Sequence, residues 1–383
     1  MQVTAPDKEI MDIIKEEGGE IAELCYQCGT CTAVCPWNRV RSFPVRELMH
    51  RAQLGLIDFE NDDMFRCLFC ETCIARCPRK VKILEVMRAF RRVIVEVGAG
   101  KIPDSLRLAT KNISAVSNPL GEPPEKRPDW TKDLDVKTFT KGTEFLYYPC
   151  CYQCYDPIHQ KVAQDTVNIL NKAGVEFGVL GAELSCCGES VRKSGNESLW
   201  RSLAQKNIEV FKGASVKKIL VSSPHCYTTF KEEYPELGGD FEVVHVVQYY
   251  VELIKNGRLK LNKEVNKKVT YHDPCCWGRH WGAYDEPRQV LQNIPGIELA
   301  EMRENRENAL CCGGSCAGRV WIETKKGERL SDLRLDQAIE TGASVLAVSC
   351  PYCKLNFDDT VLTLGKDEVI QVKDVSELLQ EAL

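Results

Sequence analysis

The stretch CYQCGTCTAVCP, residues 25–36, returns as CLFCETCIARCP at residues 67–78. Each copy sets three cysteines three residues apart and a fourth before a proline: Cys25, Cys28, Cys31 and Cys35-Pro36, then Cys67, Cys70, Cys73 and Cys77-Pro78. Three thiolates at that spacing can wrap one face of a metal centre, while the proline turns the fourth away. The 383-residue chain holds 21 cysteines, eight from Cys25 to Cys77 and thirteen from Cys150 to Cys353, with none between these groups. At about 150 residues per domain, the length predicts two to three domains. Such a chain needs no disulfide staples. Its opening MQVTAPDKEIMDIIKEEGGE lacks the apolar centre of a signal peptide, so we expect a cytoplasmic protein whose thiols serve metal or redox chemistry. The net charge of -5 argues against a nucleic-acid partner, and no apolar run approaches the roughly 18 residues of a membrane span.

In two-cluster ferredoxins the cysteine before the proline serves the other cluster. On that pattern Cys25, Cys28, Cys31 and Cys77 hold one cubane [4Fe-4S] cluster, and Cys67, Cys70, Cys73 and Cys35 a second. The competing reading is a pair of four-cysteine zinc sites, which more often use two separated C-x2-C pairs. Val45, Leu48, Met49 and Ala52 recur at helical spacing and Leu54-Gly55-Leu56 closes the run. Residues 82–97 place Ile83, Val86, Met87, Phe90, Ile94 and Val97 on one helical face. Residues 1–100 therefore read as a helical two-cluster ferredoxin-like domain. Its basic stretch, Arg79, Lys80, Lys82, Arg88, Arg91 and Arg92, is either a solvated helix face or a dock for an acidic redox partner.

Residues 101–143 carry Pro103, Pro119, Pro123, Pro124 and Pro128 among polar neighbours and read as a linker or an irregular strap. Beyond them the chain repeats itself: 144–254 and 269–380 follow one plan, offset by about 125 residues. Each copy opens on a strand ending in Pro-Cys-Cys, EFLYYPCC (144–151) and KVTYHDPCC (268–276). A helix follows, with Ile158, Val162, Thr166, Ile169 and Leu170 in one copy and Pro287, Val290, Leu291 and Ile294 in the other. Gly174 and Gly296 are placed to end these helices. Next come Cys186-Cys187-Gly188 and Cys311-Cys312-Gly313, then strands KKILVSSPHC (217–226) and ASVLAVSCPYC (343–353), and a closing strand and helix. This alternation predicts two α/β domains with mainly parallel strands, 144–258 and 259–383, whose cysteines lie at the carboxyl ends of strands, where such sheets place their sites. The second copy offers five thiols: Cys275, Cys311, Cys312, Cys350 and Cys353. The first offers Cys151, Cys186, Cys187 and Cys226, but has Ser223 where Cys350 would correspond; Cys150 and Cys154 are close enough in sequence to substitute. Cys276 and Cys316 have no required role. His272, Asp273, Trp277, Arg279, His280 and Trp281 flank the second site as proton donors, anion holders or packing. Direct roles for His225 and Lys354 are disfavoured.

The ferredoxin-like segment, including NRVRSFPVRELMHRAQLGL (38–56), resembles the small two-cluster iron–sulfur subunit of heterodisulfide reductases. The Cys-Cys-Gly repeats resemble the catalytic subunit of the same enzymes, the CCG-domain family. Both in one chain are similar to the fused heterodisulfide reductase subunit that unites the two. Related chains serve glycolate oxidase, anaerobic glycerol-3-phosphate dehydrogenase, class II benzoyl-coenzyme A reductase and sulfate-reducer membrane complexes. The resemblance implies a noncubane [4Fe-4S] cluster held by Cys275, Cys311, Cys312, Cys350 and Cys353, with these residues catalytic. At Cys151, Cys186, Cys187 and Cys226 it leaves either a second iron–sulfur cluster or zinc. It implies an oxidoreductase subunit that passes electrons through the two cubanes to the CCG site, which reduces a small-molecule or protein disulfide. The alternative is a relay without disulfide chemistry of its own. The sequence carries no dinucleotide, flavin, haem or membrane motif, so electrons are expected from a partner: a flavoprotein, a membrane cytochrome b, a hydrogenase or a formate dehydrogenase. Where that partner is membrane-bound, it would hold this cytoplasmic chain at the cytoplasmic face of the membrane.

Overall fold

The computed structural model of the chain describes residues 5–61, 63–314, 324–325 and 327–383; Cys316 lies outside them. The amino-terminal part is built of helices, the longest being Val45–Leu54 and Ile83–Val95. Val45, Leu48, Met49 and Ala52 are buried on the first, and Ile83, Val86, Met87, Phe90 and Ile94 on the second. Val97 lies past the helix end and is exposed. Gly55 closes Val45–Leu54 at φ +66, and a β-carbon there would lie 1.9 Å from the Asp7 carbonyl oxygen, so the turn requires glycine.

The basic stretch divides: Arg79, Lys80 and Lys82 are exposed, whereas Arg88, Arg91 and Arg92 are engaged within the chain. Arg91 is fully buried and donates to the carbonyls of Met64 (2.9 Å), Cys67 (2.7 Å) and Lys193 (2.9 Å). Arg92 pairs with Glu197 at 2.7 Å, and Arg88 lies 4.0 Å from Glu233. These three arginines fasten the helical part to the first repeat; a charge run conceals this role because backbone carbonyls leave no trace in composition. Residues 101–143 contain a helix, Asp104–Val116, which buries Leu106, Ala109 and Ile113. That sparse stripe among polar neighbours gives little periodic signal. The rest lies along the first repeat, with Trp130 and Phe139 buried and Thr138 bridged to Val179.

The repeats form two four-stranded sheets. The first contains β1 (Phe145–Tyr148), β2 (Phe177–Gly178), β3 (Lys218–Val221) and β4 (Glu242–His245) in the order β2-β1-β3-β4. The second contains β5 (Lys267–Tyr271), β6 (Ile297–Leu299), β7 (Val345–Val348) and β8 (Gln371–Asp374) in the matching order β6-β5-β7-β8. Every strand pair is parallel. Each β1 and β7 residue is buried, as apolar central strands covered on both faces should be. Gly174 takes φ +63 directly after its helix, the left-handed turn expected of it. Gly296 (φ +78) does not cap its helix, which ends at Asn293 with Ile294 already extended, and instead turns the chain into β6. Of the residues assigned to those helix faces, Ile158 is the exception, being exposed at the first turn.

The repeats pack reciprocally. Helix Pro157–Lys172 of the first lies on Val375–Glu381 of the second, and Asp285–Asn293 of the second lies on Val246–Lys255 of the first. In this seam the Tyr250 hydroxyl lies within hydrogen-bond distance of Thr166 Oγ1 (3.2 Å) and Ser376 Oγ (3.1 Å). Among the described residues, no helix is long and apolar enough to cross a membrane.

Equivalent helix caps in the two repeats give opposite pH dependences. His245 Nδ1 accepts from the Val247 amide at 3.3 Å, and burial pushes its pKa from 6.5 down to about 3. Its contribution to stability is present above 6.5 and is lost as pH falls toward the folded value. Asp374 accepts from the Ser376 amide at 2.9 Å, and burial pushes its carboxyl from 3.8 up to about 7. Its contribution is complete below 3.8 and is lost as pH rises through 7. Denaturation midpoints of H245N should decline less than wild type on acidification below about pH 6.5, and those of D374N should decline less on going from about pH 5 to 8, with each difference on the order of a few kcal/mol at the extremes. Unchanged pH profiles would contradict the assignment.

Candidate functional site

The amino-terminal cysteines line two cavities. One, of about 360 Å³, is faced by Cys25, Cys28, Cys31 and Cys77 together with Met49, Val81 and Ile83. The other, of about 380 Å³, is faced by Cys35, Cys67, Cys70 and Cys73 with Trp37, Phe43, Leu84 and Met87. Each cavity thus receives three thiols from one motif and the pre-proline thiol from the other. Four sulfurs around an apolar pocket form the donor set of an iron–sulfur cube. The first cavity opens to the surface beside exposed Cys28 and Tyr26; the second lies deeper, with Cys70 buried.

The second repeat brings its thiols together at the carboxyl ends of β5 and β7 and in the Cys-Cys-Gly loop. Cys275 Sγ lies 3.9 Å from Cys311 Sγ, and Cys312 Sγ lies 3.4 Å from Cys353 Sγ. Cys350 is in side-chain contact with Cys353. All five are nearly inaccessible. The amides of Gly313 and Gly314 point at Cys311 and Cys312 at 3.4 Å, which favours thiolate charge there. Contact with Cys276 and Cys311 holds the Cys275 thiol well below its usual value, and contact with Cys311 and Cys353 does the same for Cys312.

The site abuts the deeper amino-terminal cavity. Cys70 is in side-chain contact with Cys311, which draws its thiol down to about 6. Arg279 clamps the junction, donating from Nε to the Cys70 carbonyl and from Nη1 to the Ala309 carbonyl, both at 2.6 Å. His280 Nε2 lies 2.9 Å from the Phe69 carbonyl, and burial pushes its pKa down to about 4. The other flanking residues orient the loops. Asp273 pairs with Arg288 at 2.7 Å, Arg334 Nε donates to His272 Nδ1 at 3.1 Å, and Trp281 donates to Thr228 at 2.9 Å. Trp277 meets Tyr227 edge to face and lies over His245 at a tilt of 31°. Lys354 is engaged by the Val372 carbonyl, Asp358 and Glu377.

In the first repeat Cys151 is in side-chain contact with Cys186, Cys186 with Cys187, and Cys187 with Cys226. Ser223 is fully buried at the position matching Cys350, each standing just before the helix that begins at the following proline. The spare thiols part company: Cys150 reaches Cys226, while Cys154 packs in the opposite core with Trp130 and Tyr147. The spacing gave no sign of one grouping across the seam. Glu189 and His225 of the first repeat meet Cys276 of the second, with donor atoms within 4.8 Å of one another. His225 Nδ1 lies 2.8 Å from Glu189, and the same carboxylate pairs with Lys193.

A 4Fe-4S dicluster domain matches residues 24–81, and the cysteine-rich domain CCG matches 145–231 and 269–358. A dihydromethanophenazine:CoB–CoM heterodisulfide reductase chain from Methanosarcina mazei is 32% identical, covering 94% of each chain. The chain belongs to that CCG-domain iron–sulfur family. Its dicluster and CCG domains mark it as an iron–sulfur oxidoreductase. The EtfAB:quinone oxidoreductase of Syntrophomonas wolfei is 35% identical, and the probable iron–sulfur-binding oxidoreductase FadF of Bacillus subtilis 33%, each over 84% of this chain. The chain spans about half the length of those two relatives (47%). A hypothetical protein from Helicobacter pylori shares the fold at a TM-score of 0.50 and 11% identity, covering 100% of this chain and 73% of that one.

The crossed cysteine pattern is testable by spectroscopy. C77S should remove the paramagnetic signal of the cavity shared with Cys25, and C35S that of the cavity shared with Cys67, each leaving the other. Loss of the signal belonging to the altered residue's own motif would refute the crossing.

Proposed function

We propose that this chain is the iron–sulfur subunit of a larger redox complex that takes electrons from a partner and delivers them to the second-repeat site, where a disulfide is reduced. The contact between Cys70 and Cys311 carries this reading. It joins the deeper amino-terminal thiol set to the Cys-Cys-Gly site, while exposed Cys28 and Tyr26 put the other set at the surface, where a partner can approach. Cys25, Cys28, Cys31 and Cys77 would hold one cubane, Cys35, Cys67, Cys70 and Cys73 the other, and Cys275, Cys311, Cys312, Cys350 and Cys353 a noncubane cluster. When bound, such clusters supply one-electron transfer. Arg279 fixes the two loops against each other and places a cation beside Cys70, Cys275 and Cys311. Arg334 and His272 position Cys312 and Cys353. The net reaction breaks one S–S bond, consumes two electrons and two protons, and yields two thiols. The donor would be a flavoprotein, a membrane cytochrome b, a hydrogenase or a formate dehydrogenase, and a membrane-bound donor would hold the chain at the cytoplasmic membrane face. The proposed units are 1–100, 144–258 and 259–383, with the later part of 101–143 lying against the first repeat as part of its covering.

A second reading, a relay passing electrons to another acceptor, draws on the burial of all five second-repeat thiols and on the quinone oxidoreductase among the relatives. With reduced methyl viologen as donor and a low-molecular-weight mixed disulfide as acceptor, wild type should turn over. C312A should lose more than a hundredfold in rate while keeping both cubane signals. Unchanged turnover in C312A would overturn the assignment; a disulfide that leaves the CCG signal unperturbed, with a quinone analogue reoxidising it, would establish the relay.

A further inference from the structure

The two sheets fix an equivalence that the shared Pro-Cys-Cys text obscures. Tyr147 pairs with Leu220 across β1 and β3, and Tyr271 pairs with Ala347 across β5 and β7. Each tyrosine hydroxyl meets the serine next to the missing or present thiol: Tyr147 with Ser222 at 3.3 Å, Tyr271 with Ser349 at 2.7 Å. Tyr147 and Tyr271 are therefore counterparts. Four residues on, Cys151 is the counterpart of Cys275, and its contact with Cys186 repeats that of Cys275 with Cys311. Cys150 then corresponds to Pro274, and Tyr152 to Cys276. The two Pro-Cys-Cys runs are out of step by one residue, so Cys150 is an additional thiol with no equivalent in the second repeat.

That additional thiol points to the gap. In the second repeat Cys350 contacts Cys353. In the first, Ser223 stands at the place of Cys350, its hydroxyl fully buried without a hydrogen-bond partner, and Cys150 contacts the equivalent of Cys353, namely Cys226. We propose that Cys150 substitutes for the missing thiol at position 223, so that Cys150, Cys151, Cys186, Cys187 and Cys226 form a complete five-sulfur site holding a second CCG-type iron–sulfur cluster. All five residues are buried. The connecting segment adds an independent observation: Arg127, 2% exposed, donates to Cys151 Sγ at 3.6 Å and to the Pro149 carbonyl at 3.3 Å, and lies over the Tyr148 ring at 5.2 Å. None of these contacts is a carboxylate. A guanidinium buried in this way is costly unless its neighbours are anionic, and sulfurs bound to metal are.

The proposal rests on reading the Cys-Cys-Gly loops as cluster sites, and the test separates the two. Iron and acid-labile sulfide per full-length chain, purified anaerobically, are measured for wild type, C150A, S223A, C154A and C353A, alongside electron paramagnetic resonance spectra. C150A should lose about a quarter of the iron, that of one [4Fe-4S] site among four. S223A and C154A should lose none. Moving the thiol to the gap, in C150A/S223C, should restore the iron, which also excludes misfolding as the cause of the loss. If C353A loses iron and C150A does not, the first repeat is not completed by Cys150 and the proposal falls while the second-repeat site stands. If S223A loses the iron instead, serine oxygen is the ligand and the proposal fails. Loss of zinc rather than iron in C150A overturns it too. If neither C353A nor C150A loses iron, the reading of the Cys-Cys-Gly loops itself is wrong.

Discussion

The parallel pairing of β1 with β3 and of β5 with β7 is the constraint on which the rest of the molecule depends. Parallel strands end side by side, so the loops that leave them begin within a few ångströms of one another although the chain between them runs for some 75 residues. In the second repeat three such loops bring together one, two and two sulfurs: Cys275, then Cys311 and Cys312, then Cys350 and Cys353. Cys275 and Cys311 stand 36 residues apart in sequence and 3.9 Å apart in space. No local turn could hold that geometry; the buried strands do so because their apolar side chains are covered on both faces.

The same loops serve as attachment points. Helix-on-helix packing joins the repeats on the side that carries the Tyr250–Thr166–Ser376 seam. On the other side, Tyr352, between Cys350 and Cys353, lies against Tyr152 and His225 of the first repeat. The amino-terminal helices complete this arrangement through arginines that address backbone carbonyls rather than carboxylates: fully buried Arg91 into the first repeat and half-buried Arg279 out of the second. Such bonds are directional and leave no uncompensated negative charge, which suits a region already crowded with thiolates.

How much of this the sequence discloses depends on the range of the interaction. Short-range order is plain in it: the repeated cysteine motifs, the helix end at Gly174 and the alternation of strands and helices in each repeat are all read from local spacing. Long-range contacts are hidden. Arg91 sits in a basic run and reads as solvated, yet is fully buried, because its partners are carbonyl oxygens that every residue possesses. The stripe Leu106, Ala109, Ile113 is too thin to announce a helix among polar neighbours. The matching Pro-Cys-Cys text conceals a one-residue slip between the repeats, which the hydrogen-bond register shows and no pattern of hydrophobicity records. The meeting of Glu189, His225 and Cys276 belongs to two repeats at once and has no spacing to give it away.

Arg127 belongs by sequence to the connecting segment and by contact to the first repeat. The visible punctuation of the chain, proline-rich text followed by a strand, is therefore not where the molecule comes apart. A fragment beginning at the first strand would leave behind the cation that lies beside Cys151, together with Trp130 and Phe139 from the covering of the sheet. In any gene fusion, split or transplant of this module, the portable unit starts upstream of Pro123. The tether has become part of the cargo it was thought only to hold.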